Sequence, residues 1–228
     1  RACSNTALTS LFVSSLNAQG WRFIPTWVGL QAACTTYANK MSYDTNTAYT
    51  QGVAEADAAV TAAQTLGLTN PDGSGTVIYF DLEHYSESNI ACRDAANAFI
   101  NGWSFRMRER GNLAGVYASP LNARDWWSIA NVPDAVWLAH WVEDFHTPTA
   151  SVYGSQYIPD NYWNEHRRLR QYAGGHNETW GGQTINIDSD VLDGPVTVTN
   201  GTGSSSTPDA PSNPNPASGT MVARTNDT

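Results

Sequence analysis

The sequence predicts an α/β fold in which helices cover a parallel sheet. Short runs of β-forming residues alternate with segments of helical length over most of the 228 residues. This alternation is typical of parallel strands joined by crossover helices. From residue 194 onward the composition changes to Gly, Ser, Thr, Pro and Asn, without apolar periodicity. We therefore predict one domain over residues 1–193 and a disordered linker or tail over residues 194–228.

The predicted elements begin with a helix, continue with strands and helices in alternation, and end with a strand. Apolar spacing and alanine-rich composition predict helices at five places, which are residues 8–16, 50–66, 92–110, 123–130 and 160–166. Runs rich in β-branched and aromatic residues predict six strands, at residues 21–30, 77–83, 113–119, 136–142, 169–173 and 185–192.

The predicted strand at residues 77–83 carries the most informative acids. Because side chains alternate along a strand, Asp81 and Glu83 share one face and the apolar residues between them face the other. At the carboxyl end of a barrel strand, such groups are typically catalytic. Glycoside hydrolysis uses two carboxyl groups, one to protonate the leaving oxygen and one to stabilise or attack the sugar cation. Acids at a strand end are also often solvated or bind a cation, so this motif alone leaves the role open.

Other predicted strand ends carry further polar and aromatic residues. A tryptophan at such a position more often packs in the core, and a histidine there is more often a hydrogen-bonded interior residue. Their occurrence at one end of successive parallel strands nevertheless predicts a cleft lined by carboxylates and aromatic rings, as in a sugar-binding site. The candidate binding residues are Trp27, Tyr117, His140, Trp141, Gln171, Asp188 and Asp190.

Composition excludes several classes of partner. The net charge is −9 and Lys40 is the single lysine, which argues against nucleic acid and against an anionic membrane surface. No apolar run has the length of a membrane span. The five histidines show no metal-ligand spacing, and no nucleotide-binding loop is present, so we expect no metal and no cofactor. Three N-x-T sequons and the Ser/Thr/Pro-rich tail favour a secreted, extracellular protein.

The three cysteines, Cys3, Cys34 and Cys92, are an odd number. One pair with a free thiol, or a partner in a segment missing from this chain, both explain that number. Cys34 and Cys92 lie just beyond the ends of two predicted strands, and we expect a disulfide between them.

Several of these segments together resemble a known family. The sequence resembles the bacterial glycoside-hydrolase-like domain family, once classed only as a domain of unknown function, and more distantly the family 25 lysozymes (muramidases). The segments that carry the resemblance are residues 20–31, 50–52, 78–83, 115–119, 136–141, 170–176 and 185–190.

The resemblance implies a (β/α)8 TIM-barrel-like fold. Family members begin with two strands that are absent from this chain, and the first usually ends in an active-site Asp followed by a Cys. That Cys would be the partner of Cys3. The resemblance also implies that Glu83 is the general acid and Asp81 its partner carboxylate, within a cleft shaped by the binding residues above.

The expected function is therefore a secreted hydrolase of a cell-wall polysaccharide, with peptidoglycan as the first candidate. The alternative is a carbohydrate-binding or wall-binding barrel without turnover, since related barrels include inactive members. A purely structural protein would bind no sugar at all.

Overall fold

The computed structural model describes residues 6–197, which form one six-stranded sheet with helices. Strands that follow one another in the chain are neighbours in the sheet. The first five strands run parallel, and the sixth runs antiparallel to the fifth. The strands are β1 (Thr26–Trp27), β2 (Val77–Asp81), β3 (Leu113–Ala118), β4 (Ala135–Ala139), β5 (Arg168–Trp180) and β6 (Gln183–Asp193).

Four α-helices accompany the sheet within residues 6–197, and each begins at a residue whose side chain accepts a hydrogen bond from the first turn. They are α1 (Ser10–Ala18), α2 (Thr45–Thr65), α3 (Ile90–Glu109) and α4 (Pro120–Ala123), the last continuing as the 3-10 helix Arg124–Ser128. Helix α3 matches the helix predicted at residues 92–110, and its apolar stripe of Cys92, Ala96, Phe99, Trp103 and Met107 is buried. The segment at residues 160–166 forms turns rather than the predicted short helix.

The prediction of a (β/α)8 TIM-barrel-like fold is wrong, although the α/β character is confirmed. The described residues form an open half-barrel, in which β1 and β6 are the two edges of a mixed sheet. Closing a barrel needs every strand to pair on both sides, and β6 turns back on β5 instead of continuing the parallel order.

The reversal of β6 has a local cause at Gly181 and Gly182. Trp180 pairs directly with Gln183, so these two glycines form the whole turn. Their φ angles are 56° and 81°, and a two-residue hairpin with positive φ at both positions favours glycine. The strands predicted at residues 169–173 and 185–192 are consequently the bases of one long hairpin, and no crossover helix separates them.

The two faces of the sheet bury different residues. The face toward α2 and α3 is apolar, and there Phe80 contacts Phe99 and Trp103 with ring centroids 4.9 and 5.2 Å apart. The opposite face, called the inner face below, holds a smaller cluster of buried side chains. That cluster consists of Val77, Tyr79, Tyr117, Ala135, Trp137 and Leu169.

The segment after β6 covers the base of the inner face. The Tyr79 hydroxyl donates to the carbonyl of Pro195 at 2.9 Å, and the hydroxyls of Thr76 and Thr197 lie 2.6 Å apart. Thr197 also pairs with Phe23 through the backbone. The start of the predicted tail is therefore packed against the sheet, whereas residues 198–228 lie outside the described residues.

The predicted disulfide between Cys34 and Cys92 is confirmed. It links the loop after β1 to the first turn of α3, and the Cys92 side chain is completely buried. Cys3 lies outside the described residues, so its pairing with a cysteine of a missing segment stays a prediction. Within residues 6–197, no helix combines the length and the apolar character that a membrane span requires.

Candidate functional site

The two acids predicted to be catalytic lie at the carboxyl end of β2. Asp81 is the last residue of this strand, is only 5% exposed, and pairs in register with Tyr117 of β3. Glu83 follows two residues later and is partly buried. Tyr79 belongs to the inner cluster, so strand alternation places Asp81, two residues further on, at the same face. The structure thus places a buried acid at the edge of the inner face where β2 ends, with a second acid two residues later.

Gln31 holds the backbone around both acids, and sequence reasoning missed it. Its side-chain amide donates to the carbonyl of Asp81 at 2.8 Å, and its side-chain oxygen accepts from the amide of Glu83 at 2.9 Å. Gln31 is 4% exposed and is itself fixed by backbone bonds to Asn39 and Met41. This side chain therefore continues the backbone pairing of β2 beyond the end of β1. No spacing in the sequence indicates it, because 52 residues separate Gln31 from Glu83.

A second buried amide, Gln171 on β5, connects three other predicted binding residues. Its side-chain oxygen accepts from the Tyr117 hydroxyl at 2.9 Å and from the Trp141 indole N–H at 2.7 Å. Its amide donates to Asp188 at 2.8 Å, and the other Asp188 oxygen accepts from the backbone of Gly175 at 2.7 Å. The structure therefore brings together Tyr117, Trp141, Gln171 and Asp188, and their role in sugar binding stays a prediction.

Asp190 is held by a residue that sequence reasoning also missed. The indole N–H of Trp137, which is completely buried, donates to Asp190 at 2.6 Å. The Trp137 ring lies edge-on to the rings of Tyr117 and Tyr79, at centroid distances of 4.9 and 6.1 Å. Trp137 lies four residues before Trp141, and side chains an even number of residues apart on a strand point to the same face. This spacing is the feature of the sequence that indicates Trp137. Trp137 forms the floor beneath the polar residues.

Trp141 offers an apolar surface at the side of this floor. It is 60% exposed, although its indole N–H is fixed by Gln171. Its ring packs against the backbone of Gly174, where a Cβ atom would lie 2.7 Å from the ring. A side chain at position 174 would therefore displace the indole. An exposed, fixed indole beside buried polar groups is suited to contact the apolar face of a sugar ring.

Two predicted binding residues lie away from the others. Trp27 is at the helix-covered side, where its indole N–H donates to Glu55 of α2 at 2.6 Å. The His140 ring lies edge-on to Tyr157 at 5.7 Å, and the His140 carbonyl accepts from Arg170 at 3.3 Å. Burial, together with the nearby Arg170 cation, lowers the pKa of His140.

The basic residues of β5 point away from the inner face. Arg168 donates to the carbonyls of Tyr162, Val152 and Pro159, and Arg170 to the carbonyl of Ser151 and to Glu143. The inner face is consequently dominated by acids, which come from β2 and β6. The arrangement can donate and accept hydrogen bonds with a polar, uncharged ligand such as a glycan.

A possible metal-ligand group lies outside this cleft. It comprises His146, in the loop after β4, and His176 and Glu178, in the outer part of the hairpin.

Comparison with models of known protein families identifies the family of this chain. One family model, described as the Rv2525c-like, glycoside hydrolase-like domain, matches residues 1–192. The chain belongs to this family. The match includes all six strands except the last residue of β6, and every residue of the site, and it confirms the glycoside-hydrolase-like family that the sequence motifs indicated.

The structural comparison agrees at the level of the fold. This Rv2525c-like domain is similar to the 1.07 Å crystal structure of an uncharacterised B. stearothermophilus protein, with a TM-score of 0.54 and 16% sequence identity. The similarity covers 81% of this chain and 76% of that one. The comparison with curated proteins finds no match.

Proposed function

We propose that this Rv2525c-like domain is a secreted glycoside hydrolase that cleaves a cell-wall polysaccharide, with peptidoglycan as the first substrate to test. The observation that carries the proposal is the pair formed by Asp81 and Glu83. They are two residues apart at the carboxyl end of β2, and Gln31 fixes the backbone on both sides of Leu82. Membership in a glycoside-hydrolase-like family supports the same conclusion.

In the proposed reaction Glu83 is the general acid. Its carboxyl proton passes to the glycosidic oxygen while the bond from this oxygen to the anomeric carbon breaks, and the bonding electrons leave with the oxygen. The Asp81 carboxylate stabilises the positive charge that develops on the anomeric carbon. Water then adds to this carbon, and its released proton restores the carboxyl group of Glu83.

The remaining cleft residues bind and orient the glycan in this proposal. Trp141 contacts a sugar ring through its exposed indole, and Tyr117 and Gln171 set the position of that indole. Asp188 and Asp190 accept hydrogen bonds from sugar hydroxyls. Trp27 and His140 remain predictions as binding residues, and their placement favours structural roles.

Three features support an extracellular location. The Cys34–Cys92 disulfide is typical of oxidising compartments. Asn177, which begins one of the sequons, is exposed on the hairpin and is accessible to a glycan-transferring enzyme. The Ser/Thr/Pro-rich residues 194–228 have the composition of a linker between the domain and a wall or a further segment.

A carbohydrate-binding domain without turnover is the second candidate. The observation that favours it is the Gln171 network, because the bonds of this side chain fix Tyr117, Trp141 and Asp188, which are candidate binding groups. Such a domain would use Trp141 and Asp188 in the same way but would leave the glycan intact.

The deciding experiment compares the wild-type protein with Glu83→Gln on purified peptidoglycan. Released reducing ends are identified by mass spectrometry, and wall binding is measured by co-sedimentation. Loss of the acid should reduce turnover by about 10²–10⁴-fold while binding persists, since that is the usual contribution of general acid catalysis.

The matched control is Glu87→Gln, in the loop that follows β2. Glu87 forms a surface ion pair with Arg124 at 3.3 Å, and its loss should leave turnover near the wild-type rate. Equal turnover by wild type and Glu83→Gln would refute Glu83 as the acid. Wall binding without product from any of the three proteins would favour the binding domain.

A further inference from the structure

Two histidines and a glutamate converge where the loop after β4 faces the hairpin. The Nε2 atom of His176 lies 2.9 Å from Oε1 of Glu178, and Nε2 of His146 lies 3.3 Å from the same oxygen. All three ligand atoms lie within 4.8 Å of one another. A single carboxylate oxygen thus faces two imidazole nitrogens.

These distances match those between the ligands of a bound metal ion. Bonds of about 2.0–2.2 Å from Zn²⁺ to nitrogen and oxygen place neighbouring ligands of a tetrahedral site roughly 3.3 Å apart. The His146–Glu178 distance already has this value, and the His176–Glu178 distance of 2.9 Å is a few tenths of an ångström shorter. Two imidazoles and one carboxylate form a donor set that favours first-row divalent transition metals over Mg²⁺ and Ca²⁺.

The three side chains differ in how firmly the protein holds them. His176 and Glu178 are 9% and 12% exposed, lie two residues apart on one face of β5, and form a rigid base. Phe145 stacks on the His176 ring, with centroids 4.6 Å apart and an interplanar angle of 10°. His146 is 58% exposed and comes from the facing loop, where its φ angle of 63° is unusual for a residue other than glycine. The base is therefore preformed, and His146 closes it.

We propose that His146, His176 and Glu178 bind a divalent transition-metal ion such as Zn²⁺, which ties the loop after β4 to the β5–β6 hairpin. This loop begins with His140 and Trp141, so the metal ion fixes the segment that carries the exposed indole of the cleft. Three protein ligands leave one position of a tetrahedral ion for water. The site is separate from Asp81 and Glu83, and it holds whether or not the domain is a hydrolase.

The test uses the untagged full chain, freed of metal with EDTA and titrated with ZnCl₂ by isothermal calorimetry. We expect one Zn²⁺ per chain, and at least tenfold weaker binding in both His146→Ala and Glu178→Gln. His146 is exposed, so its removal leaves the core intact, and circular dichroism verifies the fold of each variant.

The matched control is His166→Ala. His166 also pairs with a carboxylate, Asp193, at 2.6 Å, and is similarly exposed, but it belongs to no three-ligand group among the described residues. Its removal should leave Zn²⁺ affinity unchanged. Zn²⁺ should also slow proteolysis of the loop at residues 140–150 in the wild type and in His166→Ala, but not in His146→Ala. Absence of Zn²⁺ binding by the wild type, or wild-type affinity in folded His146→Ala, would overturn the proposal.

Discussion

The indole N–H of Trp141 donates to the buried side-chain oxygen of Gln171 at 2.7 Å. This bond holds an indole that is 60% exposed against a side chain that has no exposed surface. The same oxygen also accepts from Tyr117, and the amide nitrogen donates to Asp188, so one side chain sets the position of residues on β3, on β6 and in the loop after β4. The shape of the cleft therefore depends on Gln171 more than on any of the residues that would touch a ligand.

Gln171→Leu should weaken both the fold and glycan binding. Leucine has nearly the same size but leaves the Tyr117 hydroxyl and one Asp188 oxygen without their buried partner, at a cost of at least about 2 kcal/mol in the free energy of unfolding. Urea denaturation measures this loss, and co-sedimentation with peptidoglycan measures binding. The exposed Gln156→Leu is the control and should change stability by less than about 0.5 kcal/mol. Equal stability of the two variants would contradict the role given to Gln171.

Gln31→Leu should loosen the backbone at Glu83. The variant removes the acceptor for the Glu83 amide and the donor to the Asp81 carbonyl. The Glu83 amide should then exchange with solvent at least about fivefold faster in hydrogen-exchange NMR, since a lost bond of this kind is worth about 1 kcal/mol or more. If Glu83 is the general acid, kcat should fall while KM changes little. Unchanged amide exchange would show that Gln31 does not fix this backbone.

Reduction of the Cys34–Cys92 disulfide should destabilise the domain by about 4 kcal/mol. The bond spans 58 residues, and in the chain-entropy account a loop of that length restricts the unfolded state by this amount. Urea denaturation with and without dithiothreitol measures the difference. A Cys34→Ala/Cys92→Ala variant should show the lower stability under both conditions, so any further loss of its stability on reduction would point to a different bond.

The stability of the domain should decrease as the pH falls through the range in which His140 titrates. Burial and the Arg170 cation keep the pKa of His140 below its usual value of 6.5, to which it returns in the unfolded chain. The unfolded chain therefore takes up this proton first. The neutral His140 side chain makes its full contribution to the free energy of unfolding above pH 6.5. This contribution is lost as the pH falls from 6.5 through the lower pKa that His140 has in the folded state. Denaturation between about pH 7 and pH 5 should give a smaller decrease for His140→Gln than for wild type. Identical pH profiles would contradict this assignment.

The strands at the centre of the sheet could be predicted because their residues are buried on both faces. The runs at residues 77–83, 113–119 and 136–142 are short, β-forming and followed by polar residues, and each overlaps an observed strand. The direction of β6 could not be predicted from periodicity, because alternation along a strand is the same whichever way the strand runs. The two-glycine turn at Gly181 and Gly182 was the feature of the sequence that indicated the reversal of β6.

The site was predictable to a different degree on each strand. Tyr117 and Gln171 converge because β3 and β5 run parallel as expected, whereas Asp188 reaches them from β6, which runs opposite to the expected direction. Trp27 does not join them, because Thr26 rather than Trp27 pairs with Tyr79, and a shift of one residue in register changes the face to which a side chain points. Gln31 reaches the acids through the tertiary fold, and no local sequence pattern marks such a contact.

The manner in which Gln31 holds the acids bears on how this family can evolve. Both of its bonds go to main-chain atoms, and every residue type can supply the carbonyl at position 81, while every type except proline can supply the amide at position 83. Replacement of either acid leaves this support in place. A hydrolase and an inactive sugar-binding descendant can therefore share one backbone and differ by a single codon. The side chains at positions 81 and 83, rather than the fold, are consequently the feature by which family members should be classified as active or inactive.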